Sequence, residues 1–148
     1  MLFRSNRRMS WTPPSVPWIA DLVNSAKTIA IVGVSDKPDR PSYMVAKHLI
    51  DSGDYEIYLV NPMYQEIFGK KVYEKLEDVP VEIDIVDVFR KSTELAPVFE
   101  SAKRIKAKNI WLQLGISDEE LASKAAGEGV GVVMDRCLKV DHANLRNK

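Results

Sequence analysis

Apolar positions along this chain follow two alternating periods. Residues 29–34, Ile-Ala-Ile-Val-Gly-Val, are small or β-branched, the composition of a strand covered on both faces. Further apolar runs at 55–60, 83–89, 109–114 and 130–134 predict strands, with a shorter one at 71–73. Between the runs, apolar residues recur at three- and four-residue steps. Trp18, Ile19, Leu22, Val23 and Ala26 mark one helix, with Pro17 near its first turn. Met44, Val45, His48 and Leu49 mark a second, opened by Ser42 as its cap and stopped at Gly53, where a left-handed residue suits glycine. Residues 93–106 predict a third, with Pro97 at its true first turn and Leu95 and Ala96 just outside. Ser117, followed by Asp118, Glu119 and Glu120, sets a capping hydroxyl before acids that suit a positive helix end. Gly127 and Gly129 end that helix, and the polar residues from Asp135 onward predict a short helix or an arm.

Strands that alternate with helices predict an α/β fold: a three-layer α/β/α, Rossmann-like, doubly wound parallel sheet in a single domain. Residues 1–17 read as an N-terminal arm and 18–148 as the domain. The arm holds Arg4, Arg7 and Arg8 without an acid. Pro13, Pro14 and Pro17 interrupt any long amphipathic helix there, and Trp11 and Trp18 are its expected anchors.

In such a sheet a ligand lies beyond the carboxyl ends of the strands, where the strand order reverses. The first strand leads through Gly33 and Val34 into a polar loop, Ser35 to Pro41, and then into a helix. Strand, glycine-bearing loop and helix start present backbone N–H groups and a positive helix end to a phosphate. Ser35 and Ser42 add hydroxyls, and Lys37 and Arg40 add charge. The loop departs from the dinucleotide fingerprint, because Ser35 replaces its second glycine and Pro38 its third. The same residues would also make an ordinary polar connection without any ligand.

The second strand ends in Asn61-Pro62 rather than in an acid. That disfavours NAD, whose ribose hydroxyl is held by Asp or Glu at this point. Pro62 offers a surface for a flat adenine, and the pair equally suits a simple turn. Val88, Phe89 and Arg90 follow the next long strand, and Gln113 and Gly115 the one after it. Arg90 suits a phosphate or carboxylate, or plain solvent, and Gly115 suits a close backbone approach or a turn. Cys137 beside Arg136 reads first as a buried, inert thiol and second as an activated one. His48 reads as packing and His142 as surface. With no nucleophile–base–orienter set and no cluster of metal ligands in the sequence, the expectation is a binding protein that is not an enzyme.

Composition narrows the partners. Twenty-one basic and 21 acidic residues cancel, which argues against a broad nucleic-acid surface, so an anion must be held by local charge. No apolar run reaches the roughly 20 residues of a membrane span. One cysteine excludes an internal disulfide framework, and the expected setting is cytoplasmic. Oligomeric state stays open.

Five motifs in order, GVSDKPDRPSYMVAKHL, VNP, VDVFR, WLQLGI and VMDRCLKVDH, resemble the small stand-alone CoA-binding domain proteins. Through them the chain is similar to the CoA-binding domain of the succinyl-CoA synthetase α subunit. The resemblance covers about residues 19–142. It implies coenzyme A or an acyl-CoA as ligand, with phosphates gripped by Gly33, Val34, Ser35, Arg40 and Ser42. It also implies that Asn61 and Pro62 border the nucleotide, with Met63 at its margin. Val88, Phe89, Arg90, Gln113, Leu114 and Gly115 would line the adenine and pantetheine path, with Arg136 and Lys139 as weaker correspondences. The catalytic domains of the synthetase have no counterpart in the resemblance. An NAD(H)-binding redox module and a ligase subunit working with a partner chain remain the alternatives.

Overall fold

The computed structural model describes residues 11–147. Helix α1 (Val16–Ser25) leads into β1 (Thr28–Val32), α2 (Pro41–Ser52) and β2 (Glu56–Val60). A small hairpin follows, β3 (Glu66–Ile67) and β4 (Lys70–Tyr73), and then β5 (Ile85–Val88) and α3 (Leu95–Arg104). The chain continues through β6 (Asn109–Leu112), α4 (Glu119–Gly127), β7 (Gly131–Val133) and α5 (Leu138–Leu145). The strands lie in the order β3-β4-β2-β1-β5-β6-β7, parallel throughout except for the β3–β4 pair. From β4 to β7 this is the Rossmann order, and it reverses between β1 and β5.

Alternation along the strands builds two cores. Ile29 and Ile31 of β1, Ile57 and Leu59 of β2, and Trp111 of β6 face α1, α2 and α5. Ala30, Val32, Val60, Val86, Ile110 and Leu112 face α3 and α4. Both faces of the sheet are therefore dry, which is why its strands read as unbroken apolar runs. Trp111 is wholly buried, and its indole N–H donates to the Arg136 carbonyl at 2.8 Å. Trp11 ties the segment before α1 to the sheet edge: its Nε1 donates to the Val132 carbonyl at 2.9 Å and its backbone N–H to Ser123 Oγ at 2.8 Å.

Several sequence expectations shift. Helix α3 begins at Leu95, so Leu95 and Ala96 lie inside it and Pro97 is its third residue, where a missing N–H costs no intrahelical bond. Leu95 is fully buried, and that burial draws the helix start forward. Helix α4 is capped by Asp118, which accepts from Leu121 N at 3.0 Å, and Ser117 stands outside. Strand β3 was not expected. Phe68 and Gly69 form a two-residue turn at φ 59° and 71°, a geometry that Phe rarely signals.

Of the two histidines, His142 departs from expectation. His142, read as surface, is buried. Its Nε2 donates to the Asp54 carboxylate at 2.8 Å, and its Nδ1 lies 2.8 Å from His48 Nε2. Because Asp54 accepts, the neutral His142 ring carries its proton on Nε2, and His48 Nε2–H donates to Nδ1. This chain of bonds ties α2 to α5. Around it stand the Tyr55 ring, 5.5 Å from His142, and Arg146, 3.8 Å from Asp54; Lys139 and Asp51 also act on His48. Burial first, and His142 second, hold the His48 imidazole below its ordinary pKa. A depressed pKa leaves the folded state with fewer bound protons than the unfolded chain. The stability is therefore present above the unfolded value of about 6.5 and is lost as pH falls through the folded value. In urea titrations at pH 7.5 and 5, His48→Gln should lose less stability on acidification than the parent. Equal losses would place the acid sensitivity elsewhere.

Candidate functional site

The site is built around the end of β1. Gly33 N donates to the Val60 carbonyl at 2.9 Å, and Phe89 N donates to the Val32 carbonyl at 2.8 Å, so β1 is held on both sides to its last residue. Gly33 then turns at φ +88°, and a Cβ placed there would lie 2.2 Å from the Phe89 carbonyl oxygen. Only glycine fits both the angle and the space. Past it, Val34 is buried and its carbonyl accepts from Asn61 Nδ2 at 2.8 Å. Asn61 Oδ1 in turn accepts from Met63 N at 2.9 Å.

The loop closes on itself. Ser35 N donates to Ser42 Oγ at 2.9 Å, and Lys37 N donates to Ser35 Oγ at 3.1 Å. Ser42 is thus the second residue of α2 and not its cap. The cap position is Arg40, with Pro41 first in the helix and no side-chain cap bond. The N-terminal end of α2 keeps its positive pole toward the cleft.

Two cavities flank this loop. The first, about 650 Å³, lies between α2 and α5, over the ends of β1, β5 and β6. Arg40, Arg90, Lys91 and Lys139 line it, with no carboxylate among the lining residues. Among the described residues, none of Arg40, Lys91 and Lys139 is in an ion pair. The second, about 550 Å³, lies on the α3 side against Val32, Val60 and Pro62. Its charges largely satisfy each other: Arg104 Nη1 is 2.8 Å from Glu77, and Arg90 Nη1 is 3.8 Å from Glu94. Arg90 borders both cavities.

A glycine–serine loop at a Rossmann switch point, facing a cationic cleft, suits an anionic nucleotide. The model of the CoA binding domain family matches residues 27–143. The chain belongs to this family. It is 42% identical over 130 residues to the uncharacterized protein YneT of Bacillus subtilis (strain 168), covering 88% of this chain and 96% of that one. A hypothetical protein from Pyrococcus horikoshii OT3 shares the fold with a TM-score of 0.85 and 34% identity, over 91% of this chain and 96% of that one. The ADP-forming acetate–CoA ligase of Methanocaldococcus jannaschii is 29% identical over 133 residues, which are 83% of this chain but 19% of the ligase. No helix among the described residues is long and apolar enough to cross a membrane.

The residues expected at a CoA-binding site separate into groups. Gly33, Ser35, Arg40, Ser42, Phe89, Arg90 and Gln113 line the first cavity, and Pro62 lines the second. Val34, Asn61 and Val88 are buried behind the cleft and do not line it; Asn61 is spent on holding the loop. Lys37 is exposed outside the lining. Gly115 also lies outside, its N–H donating at 2.7 Å to Asp135 Oδ1 in the segment after β7. Arg136 points elsewhere as well, paired bidentately with Asp141 at 2.8 Å, which raises its pKa. Cys137 is half-buried and lines the first cavity, so it is not the buried thiol of the first reading. Sequence reading missed Lys91, Met44 and Val140. Lys91 follows Arg90 directly and was findable, whereas Met44 and Val140 needed the first turns of α2 and α5 to be brought face to face.

One buried group lies just beneath. Asp87 pairs in register with Ile31 and Trp111, two residues before the cavity-lining Phe89 on the same strand line. It is fully buried, and neither carboxylate oxygen has a hydrogen-bond partner. Burial pushes its carboxyl well above the ordinary range. A raised pKa means that the stability is intact below the unfolded value of about 3.9 and is lost as pH rises toward the folded one. Asp87→Asn should therefore stabilise the protein at pH 7 by about 1–3 kcal/mol, and the gain should shrink toward pH 4. Urea midpoints that differ equally at both pH values would refute the assignment. Gly33→Ala should destabilise by about 1–3 kcal/mol, because backbone and not a movable side chain blocks the new methyl group. An unchanged midpoint for that variant would show that β1 and β5 can part.

Proposed function

We propose that this protein binds coenzyme A or an acyl-CoA in the cytoplasm and catalyses no reaction by itself. The observation that carries the reading is the first cavity. Arg40, Lys91 and Lys139, none of them in an ion pair among the described residues, line it with Gly33, Ser35 and Ser42 of the loop, Arg90 borders it too, and no acid is among the lining residues. CoA brings a diphosphate and a 3′-phosphate, which this charge and the loop N–H groups suit. Membership of the CoA binding domain family supports the ligand class. The NAD(H) reading is weaker, because β2 ends at Asn61, whose amide is committed to the Val34 carbonyl where a ribose-binding acid would stand.

A second reading has support from the relatives named as acetate–CoA ligases: the chain would supply the CoA-binding part of a ligase completed by a separate partner chain. Formation of an acyl-CoA and ADP from acid, ATP and CoA after addition of such a partner would favour it over simple binding.

Calorimetry with CoA and with NADH tests the main reading. CoA should bind and NADH should not; the reverse result would sink it. Arg40→Ala should weaken CoA about tenfold, the value of one charge-assisted hydrogen bond, and leave pantetheine without phosphate unaffected. Equal loss for both ligands would remove Arg40 from the phosphate contacts.

A further inference from the structure

The two cavities differ in character in a way that phosphate recognition does not explain. The second is bordered by paired charges, Glu77 with Arg104 and Glu94 with Arg90. The first combines the cations Arg40, Arg90, Lys91 and Lys139 with an apolar lining that includes Phe89, Ile116 and Val45. Its mouth carries three apolar side chains held out toward water: Met44 (42% exposed), Leu114 (69%) and Val140 (51%). Single exposed apolar residues are ordinary. These three come from separate elements, the first turn of α2, the connection after β6 and the start of α5, yet they converge on one cavity. They form a collar around a hollow rather than a flat face for another protein.

The amide-rich pantetheine arm makes little use of an apolar collar, and the adenine ring and the two pantoate methyl groups of CoA are served by the walls at Phe89, Ile116 and Val45. Free CoA would end in a thiol and leave the collar wet. We infer that the apolar side of the first cavity is an acyl-chain subsite, so that the ligand class is a CoA thioester of an apolar, medium-length acyl group. This rests on the CoA reading above. The phosphates sit at Arg40 and the loop, and the acyl chain covers Met44, Leu114 and Val140 on the same ligand. The cationic and apolar parts of one cavity then have one occupant.

The test is a calorimetric series of CoA, acetyl-CoA, butyryl-CoA and octanoyl-CoA, each kept below its micelle concentration. A buried methylene is worth up to about fourfold in affinity, so octanoyl-CoA should bind at least about tenfold tighter than acetyl-CoA. Leu114→Ser with Val140→Ser should shrink the octanoyl-to-acetyl ratio toward one; both positions are exposed, so folding is not at stake. Met44→Ser alone should reduce the ratio by a smaller factor. Equal affinity for acetyl-CoA and octanoyl-CoA would overturn the acyl subsite and leave CoA binding standing. A chain-length gain that survives the double substitution would also overturn it, by placing the chain elsewhere. Failure of every CoA species to bind would overturn the binding reading itself, and the subsite with it.

Discussion

The architecture of the cleft depends on one close approach, that of Gly33 to the carbonyl of Phe89. In a doubly wound sheet, β1 and β5 are neighbours whose following segments leave toward opposite faces. At this fork the two chains must separate without leaving buried peptide groups unpaired. Gly33 makes that possible: its φ of +88° turns the chain away one residue after the ladder ends, with no side chain to collide with β5. Everything downstream inherits its position from this turn. Val34 is buried because of it, Asn61 can reach the Val34 carbonyl, and Ser42 can receive Ser35 N.

Charge is distributed with the same economy. The chain is neutral overall, with 21 basic and 21 acidic residues, so attraction for an anion has to come from local asymmetry. The acids pair with cations away from the first cavity: Asp141 holds Arg136, Glu77 holds Arg104, and Asp51 holds Lys47. Among the cations that line the cavity, Arg40 stands at the N-cap of α2, where its field adds to that of the helix. Arg136 illustrates the distinction. It lies in a strand-end segment as Arg90 does, but its guanidinium fork is filled by Asp141 at 2.8 Å on both oxygens.

Much of this was legible in the sequence, and the reasons are physical. The parallel sheet showed because strands buried on both faces must be apolar throughout, and the strand–glycine–loop–helix order around Gly33 showed because glycine breaks the apolar run of β1 and the polar residues 35–41 separate it from the helical spacing that follows. What escaped depended on tertiary geometry. Asn61 was placed correctly after β2, but its role as a brace for the loop follows from the approach of Val34, 27 positions earlier. Leu95 was set outside α3 because Pro97 dominates local reasoning, whereas burial of Leu95 decides the helix start. His142 was read as surface from its polar neighbours, and nothing local announces His48 and Asp54 as partners.

That last error bears on the site as a whole. Helix α5 spans only Leu138 to Leu145, too short to persist on local propensity. Yet it and the residue before it supply Cys137, Lys139 and Val140 to the first cavity. Its position is set by polar ties made at both ends. Gln113 Oε1 accepts from Leu138 N at 3.1 Å, Asp141 binds Arg136, and His142 links to His48 of α2 and to Asp54. Since α2 carries Arg40 and Met44 on the opposite wall, the histidine pair spans the same two helices that form the cavity. Gln113 lines the cavity and also caps the helix, so a ligand that displaced its amide would loosen the wall it leans on. The cleft is therefore held by directional bonds between its walls as well as by the apolar core beneath it, and its width is set where α2 and α5 meet.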